Sequence, residues 1–255
     1  MKFNDKLKVY YDAEFTGLHR NTSLISIGLV SDTGSYFYAE FTDYDEKQVN
    51  DWIRENVIDN LLYNNESNFV NRANIKQSIH INDKVSYNVR IKGGTDIIKS
   101  ELLDWLKNES EVSEKQIQIY TDCYAYDWVL LNELICENGD ALNIPEFINY
   151  IPIDLSTLLF ISGIDPDITR EDFVSEKYLN DLKTTKIFQE VEGDIKHNCL
   201  WDALVARGCF HKLFHPHNNG RKYDWSELNK GIDSDKVNDL IGNHKFVGEI
   251  DHPSN

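Results

Sequence analysis

Three short apolar runs occupy the start of the chain, at Leu7 to Asp12, Leu24 to Val30 and Ser35 to Phe41, and the turn residues Asp32-Thr33-Gly34 separate the last two. Runs of this length bounded by turn signals read as strands, and their succession reads as a meander. The pattern then changes. Val49, Trp52, Ile53 and Val57 fall on one side of a helix over Glu46 to Val57, and Ile97, Leu102, Leu103 and Leu106 repeat that spacing. Ile117 to Thr121 is a short strand feeding a helix from Tyr126 to Glu137, which Asn138-Gly139 can close with a left-handed cap. Ile151 to Asp154 is a further strand, with Ser156 as the cap of a short helix after it. Leu200, Ala203, Leu204, Phe210, Leu213 and Phe214 form an amphipathic helix that stops before Pro216. Strands first, then strands alternating with helices, predict an α/β fold: a mixed sheet flanked by helices on both faces.

Three segments stand outside this pattern. Residues 60–94 are rich in Asn, Ser and Lys; alternation at Val85, Tyr87, Val89 and Ile91 allows one strand ending at Gly93-Gly94, with an inserted hairpin and a mobile loop as equal alternatives. Residues 165–193 are long and acidic, and residues 215–255 read as a tail or small appendage to a domain over residues 1–214. With 255 residues and 41% of them hydrophobic, the chain has ample material for one core, and no small disulfide scaffold is needed. Cys123, Cys136, Cys199 and Cys209 show no C-x-x-C pair, and no apolar leader follows the polar start, which together predict reduced thiols in a cytoplasmic protein. No apolar run approaches the roughly 18 residues that span a bilayer, so no membrane partner is expected.

A formal charge of -17 argues against tight, sequence-independent binding of duplex nucleic acid, which calls for a basic footprint. It leaves room for an enzyme that grips one strand end through metal ions, since a bound divalent cation is the largest local positive charge in such a site. The candidate ligands are Asp12, Glu14, Asp127 and Asp202. Alternation along a strand puts Asp12 and Glu14 on one face at its carboxyl end, with Ala13 turned away. Asp127 follows the strand Ile117 to Thr121 and reaches the same edge, where ligands of open α/β sheets gather. Hard oxygen donors in this number suit two Mg²⁺ or Mn²⁺ ions, with Asp12 as the candidate bridge. His197 precedes Asp202 by five positions, so on one continuous helix the two side chains diverge by roughly 140°. His197 therefore belongs ahead of the helix, with Asn198 as its N-cap, from where an imidazole can act as general base on a water.

The order D-x-E, Y-D before an apolar helix, and H-x4-D resembles the DEDDh 3′-to-5′ exonucleases, which include ribonuclease T and the proofreading subunits of polymerases. The nearer likeness is to the mycobacterial-type 3′-to-5′ exoribonucleases, carried by Asp12-Ala13-Glu14-Phe15, Leu24-Ile25-Ser26-Ile27-Gly28, Ala125-Tyr126-Asp127 and the segment Ile153 to Leu158, over about residues 7–213. This resemblance implies a ribonuclease H-like fold and a metal-dependent 3′-to-5′ exonuclease. It further implies action on the 3′ ends of single-stranded RNA with release of nucleoside 5′-monophosphates. Asp12, Glu14, Asp127 and Asp202 would hold the ions, with His197 as the base. Phe15, Thr16 and Gly17 are candidate substrate contacts, Phe15 being either a core aromatic or a ring that stacks on the terminal base. Trp128 and Trp201 read as core. Relatives of the ribonuclease T type often pair, so a homodimer is one expected assembly. The motifs speak for the chemistry more than for RNA over DNA, leaving two alternatives: a single-stranded DNA exonuclease, and a catalytically idle binding module on the same fold.

Overall fold

A computed structural model of the protein describes residues 6–63, 74–81, 84–185, 187–188 and 195–214. The meander is present as β1 (Leu7–Phe15), β2 (Leu24–Ser31) and β3 (Tyr36–Phe41), paired antiparallel in sequence order. The segment left open in the sequence is settled as a hairpin: β4 (Asn74–Ile81) pairs antiparallel with β5 (Lys84–Gly93), and β5 adds to the sheet parallel to β3. On the other side of β1 lie β6 (Ile117–Thr121) and the two-residue β7 (Ile153–Asp154), both parallel to it. The seven-stranded order is β4-β5-β3-β2-β1-β6-β7. Within β3-β2-β1-β6-β7 only β2 is reversed, so the sheet is mixed, as the sequence predicts.

Helices cover both faces because successive strand residues feed two separate cores. Leu7, Val9, Tyr11 and Ala13 of β1 pack with Ile98, Leu102 and Leu106 of α2 (Thr95–Ser113) and Leu131 and Leu134 of α3 (Tyr124–Ile135). Val30, Tyr36 and Tyr38 point the other way, towards α4 (Leu155–Ile161), α5 (Arg170–Phe173), α6 (Glu176–Lys183) and α7 (Cys199–Phe214). Phe173, Val174, Tyr178 and Leu182 place part of the acidic stretch 165–193 in that core beneath α7. Trp201 is buried there, and Trp128 packs against the opposite core. No described helix is long and apolar enough to cross a membrane. Residues 215–255 lie outside the described residues.

Three local expectations are corrected. The helix expected over Glu46 to Val57 is two pieces, a 3₁₀ turn (Glu46–Gln48) and α1 (Asp51–Asn56), because Asn50 caps α1 by accepting the Ile53 amide at 2.8 Å. Trp52 consequently leaves the apolar side and is 55% exposed. The helix expected from Tyr126 to Glu137 runs over Tyr124–Ile135, and Asn138 and Gly139 take their positive φ in the turn beyond it. The cap of α4 is Asp154, which accepts the Thr157 amide at 2.9 Å, while Ser156 Oγ bonds to an arginine of α5.

Candidate active site

The site is built where β1 ends. Tyr10 of β1 packs on Phe210 of α7, so Asp12 and Glu14, two and four residues further on, share the face that α7 covers, while Ala13 enters the opposite core. Asp12 stands opposite Gly28 of β2 in the ladder, and the glycine is required: a Cβ there would lie 2.4 Å from the Cys199 carbonyl. The bare backbone lets the first turn of α7 sit directly on β2. That turn carries Asp202, and the first turn of α3 carries Asp127. A helix N-terminus favours negative side chains, so both positions lower the cost of holding an acid there.

The start of α7 is set by Asn198, whose Oδ1 accepts the amides of Leu200 at 3.2 Å and Trp201 at 3.4 Å. His197 thus lies in the turn before the helix, at a φ of 59°. From that turn it meets the carboxylates: one ligand atom each of Glu14, His197 and Asp202 lies within 4.8 Å of the other two, and His197 Nδ1 is 4.0 Å from Glu14 Oε1. Asp12 and Asp127 belong to the same electrostatic group. Burial, and then the charges of Asp127, Asp202, Glu14 and Asp122, push the Asp12 carboxyl well above its ordinary value. Burial followed by Asp202 and Asp127 does the same to Glu14, and burial followed by Glu171, Asp122 and Asp127 to Asp202. Asp127 is 1% exposed, and burial lifts its carboxyl to about 7 in spite of hydrogen bonds to Oδ2 from Thr121 Oγ1 at 2.5 Å and the Cys123 amide at 3.2 Å.

Asp127 Oδ1, by contrast, is buried with no hydrogen-bond partner. A buried acceptor without a donor is costly unless something else fills its lone pairs. The donor set fits a hard divalent cation: carboxylate oxygens from four residues, one of them orphaned, all resisting ionisation without compensating charge. Asp12, Glu14, Asp127 and Asp202 are the residues that could hold such ions.

Sequence reasoning missed the surroundings of this group. Asp122, just past β6, contributes to the raised pKa of Asp12, Asp127 and Asp202, and its position at a strand's carboxyl end was the available signal. Arg170 of α5 grips it, with Nε 2.7 and 2.8 Å from the two carboxylate oxygens and Nη2 2.6 Å from Oδ1. The other donors of Arg170 go to Ser156 Oγ and to the carbonyls of Pro166 and Ile168. Trp52 stands edge-on to the His197 ring with centroids 5.2 Å apart. Of the candidate substrate contacts, Phe15 stacks on Tyr126 at 5.4 Å between centroids. Thr16 is buried, its hydroxyl taken up by Thr22, Ser23 and Gln48, and the Gly17 amide donates to Thr22 Oγ1 at 3.1 Å. Phe15 has a partner inside the protein, and Thr16 and Gly17 are engaged in shaping the β1–β2 connection.

No family model matches the chain. Two 3′-5′ exoribonucleases of Mycobacterium tuberculosis, from strains CDC 1551 and H37Rv, are each 34% identical over 55 residues, which is 22% of this chain and 33% of theirs. The chain therefore matches about a third of the length of these curated relatives. Among solved structures, one described as 3′-end specific recognition of a histone mRNA stem-loop by a 3′-exonuclease is similar over 84% of this chain and 66% of that one, with 12% identity and a TM-score of 0.40.

Proposed function

We propose that the protein is a metal-dependent 3′-to-5′ exonuclease that hydrolyses single-stranded RNA and releases nucleoside 5′-monophosphates. The observation that carries this reading is the meeting of four pKa-raised carboxylates and one histidine, drawn from β1, α3 and the start of α7, with Asp127 Oδ1 left without a donor. Activity on RNA rests on the short match to the mycobacterial exoribonucleases.

Asp12, Glu14, Asp127 and Asp202 would hold two Mg²⁺ or Mn²⁺ ions. Such ions acidify the attacking water and neutralise charge on the phosphate. The remaining work falls to the chain. The four carboxyl groups must give up protons when the cations bind, so affinity falls as pH falls. His197, 44% exposed beside Glu14, accepts the proton of the attacking water from the open side of the site. The imidazole can release that proton to solvent after each cycle.

The test is a 5′-labelled oligoribonucleotide and its DNA counterpart, each incubated with protein in Mg²⁺, in Mn²⁺ and in EDTA. A ladder shortening from the 3′ end in metal, faster on RNA and lost in Asp12→Asn, is the expected result. Undiminished hydrolysis by Asp12→Asn would refute the ligand assignment, and a faster DNA ladder would replace RNA as substrate.

A further inference from the structure

His197 occupies an unusual place in the backbone. Residues 195–198 form a turn closed by the Asn198 amide on the Ile195 carbonyl at 3.2 Å, and His197 is its third residue. A positive φ at that position belongs to turns that normally put glycine there, and a non-glycine residue holds it only where its surroundings over-determine it. In such a turn the central peptide, here the Lys196 carbonyl and the His197 amide, has two orientations, and a flip between them reverses the sign of φ at the third residue.

One residue, 136 positions away, fixes that peptide. Asn60 Nδ2 donates to the Lys196 carbonyl at 2.7 Å and to the Asn56 carbonyl at 2.7 Å, while Asn198 Nδ2 donates to the Asn60 carbonyl at 3.0 Å. Both peptide neighbours of His197 are thereby tied to Asn60. Asn60 in turn stands on a firm base, because Ile53, Val57 and Ile58 of its segment pack on Ile25 of β2.

We infer that Asn60 is a positioning residue for His197, holding the Lys196–His197 peptide in the orientation that turns the imidazole towards Glu14 and Asp202. The inference rests on reading His197 as the base of the proposed exonuclease. Loss of the Asn60 amide removes its hydrogen bond to the Lys196 carbonyl, and the turn relaxes to negative φ with the ring withdrawn.

The experiment compares Asn60→Ala and Asn60→Asp, the second nearly isosteric but unable to donate from its side chain, each alone and combined with His197→Ala. Turnover of a single-stranded oligoribonucleotide in Mn²⁺ should fall by about 10- to 100-fold with KM nearly unchanged, and the loss should vanish in the His197→Ala background. The backbone chemical shifts of His197, which distinguish left-handed from negative φ, should move in both variants. An Asn60 variant in which His197 keeps left-handed shifts, or an equal loss with and without the imidazole, overturns the inference. A wild-type protein without hydrolysis would sink the exonuclease reading alone, since the shifts still decide the positioning.

Discussion

Replacing Asp127 by asparagine should stabilise the metal-free protein at alkaline pH while removing its activity. The Asp127 carboxyl is held at about 7, against an ordinary 3.8. Between those values the folded protein keeps a proton that the unfolded chain has released, so native stability falls as pH rises through the window and levels off above it. The gap corresponds to about 4 kcal/mol at full development. Asparagine never ionises, its Oδ1 can accept from Thr121 and Cys123, and its Nδ2 occupies the place where Asp127 Oδ1 lacks a partner. We expect Asp127→Asn to be more stable than wild type by on the order of 2–4 kcal/mol at pH 8 in EDTA, with the advantage shrinking towards nil near pH 4. Urea denaturation at both pH values measures it. Saturating Mn²⁺ should reverse the order at pH 8, because the ion stabilises the form that binds it. An advantage equal at the two pH values, or a variant less stable at pH 8, would refute the view that this carboxylate is held at a cost for a cation.

Other positions give separate tests. Gly28→Ala forces a Cβ against the Cys199 backbone, which cannot rotate away, so α7 must shift; we expect a loss of about 1–3 kcal/mol in urea denaturation and a larger proportional loss of turnover, because Asp202 and His197 move with the helix. His197→Ala should lower turnover by about 10²- to 10⁴-fold near pH 7 with the thermal transition retained, and an unchanged rate would remove it as the base. Asp32 carries the opposite sign. Burial alone would raise its pKa, but Lys8 at 3.1 Å, His211 and Arg207 outweigh that and hold it well below the ordinary range. Its contribution is present above the unfolded value near 3.9 and fades as pH falls through the folded one, so Asp32→Asn should cost about 1–3 kcal/mol at pH 7 and less at pH 3.

What could be read from the chain follows from how local each signal is. The pairing of Asp12 with Glu14 on one face needs only strand alternation, and the place of His197 ahead of α7 needs only the helical period and a capping asparagine; both are visible within six residues. The β4–β5 hairpin was not decidable, because alternation at Val85 to Ile91 shows a strand without showing its partner. Apolar spacing persists across Asn50, so the sequence predicts one helix over Glu46 to Val57, whereas the Asn50 cap restarts the backbone. Arg170 and Asp122 are 48 residues apart, and Asn60 and Lys196 are 136 apart, so no spacing could link them. The place of Asp127 after a strand points to a ligand, but the burial that raises its pKa comes from the docking of α3 on the sheet.

The two ends of the β1–β2 pair separate a site from mere acidity. Near Val9 and Ser31 the acid Asp32 is met by Lys8 and His211, and its pKa drops. Near Asp12 and Gly28 the acids Asp12, Glu14, Asp127 and Asp202 stand together, their pKa values rise, and the neighbouring guanidinium of Arg170 is committed to Asp122. A chain with 43 acidic and 26 basic residues would scatter unpaired acids over its exposed surface, where water screens them at little cost. Here they are gathered where burial makes repulsion most expensive, on two helix N-termini and a strand end. Random placement does not produce that concentration, and the same strands manage to compensate an acid at their other end. The uncompensated charge is most simply the mould of a positive ligand, which is why the cation reading bears on the fold as well as on the chemistry.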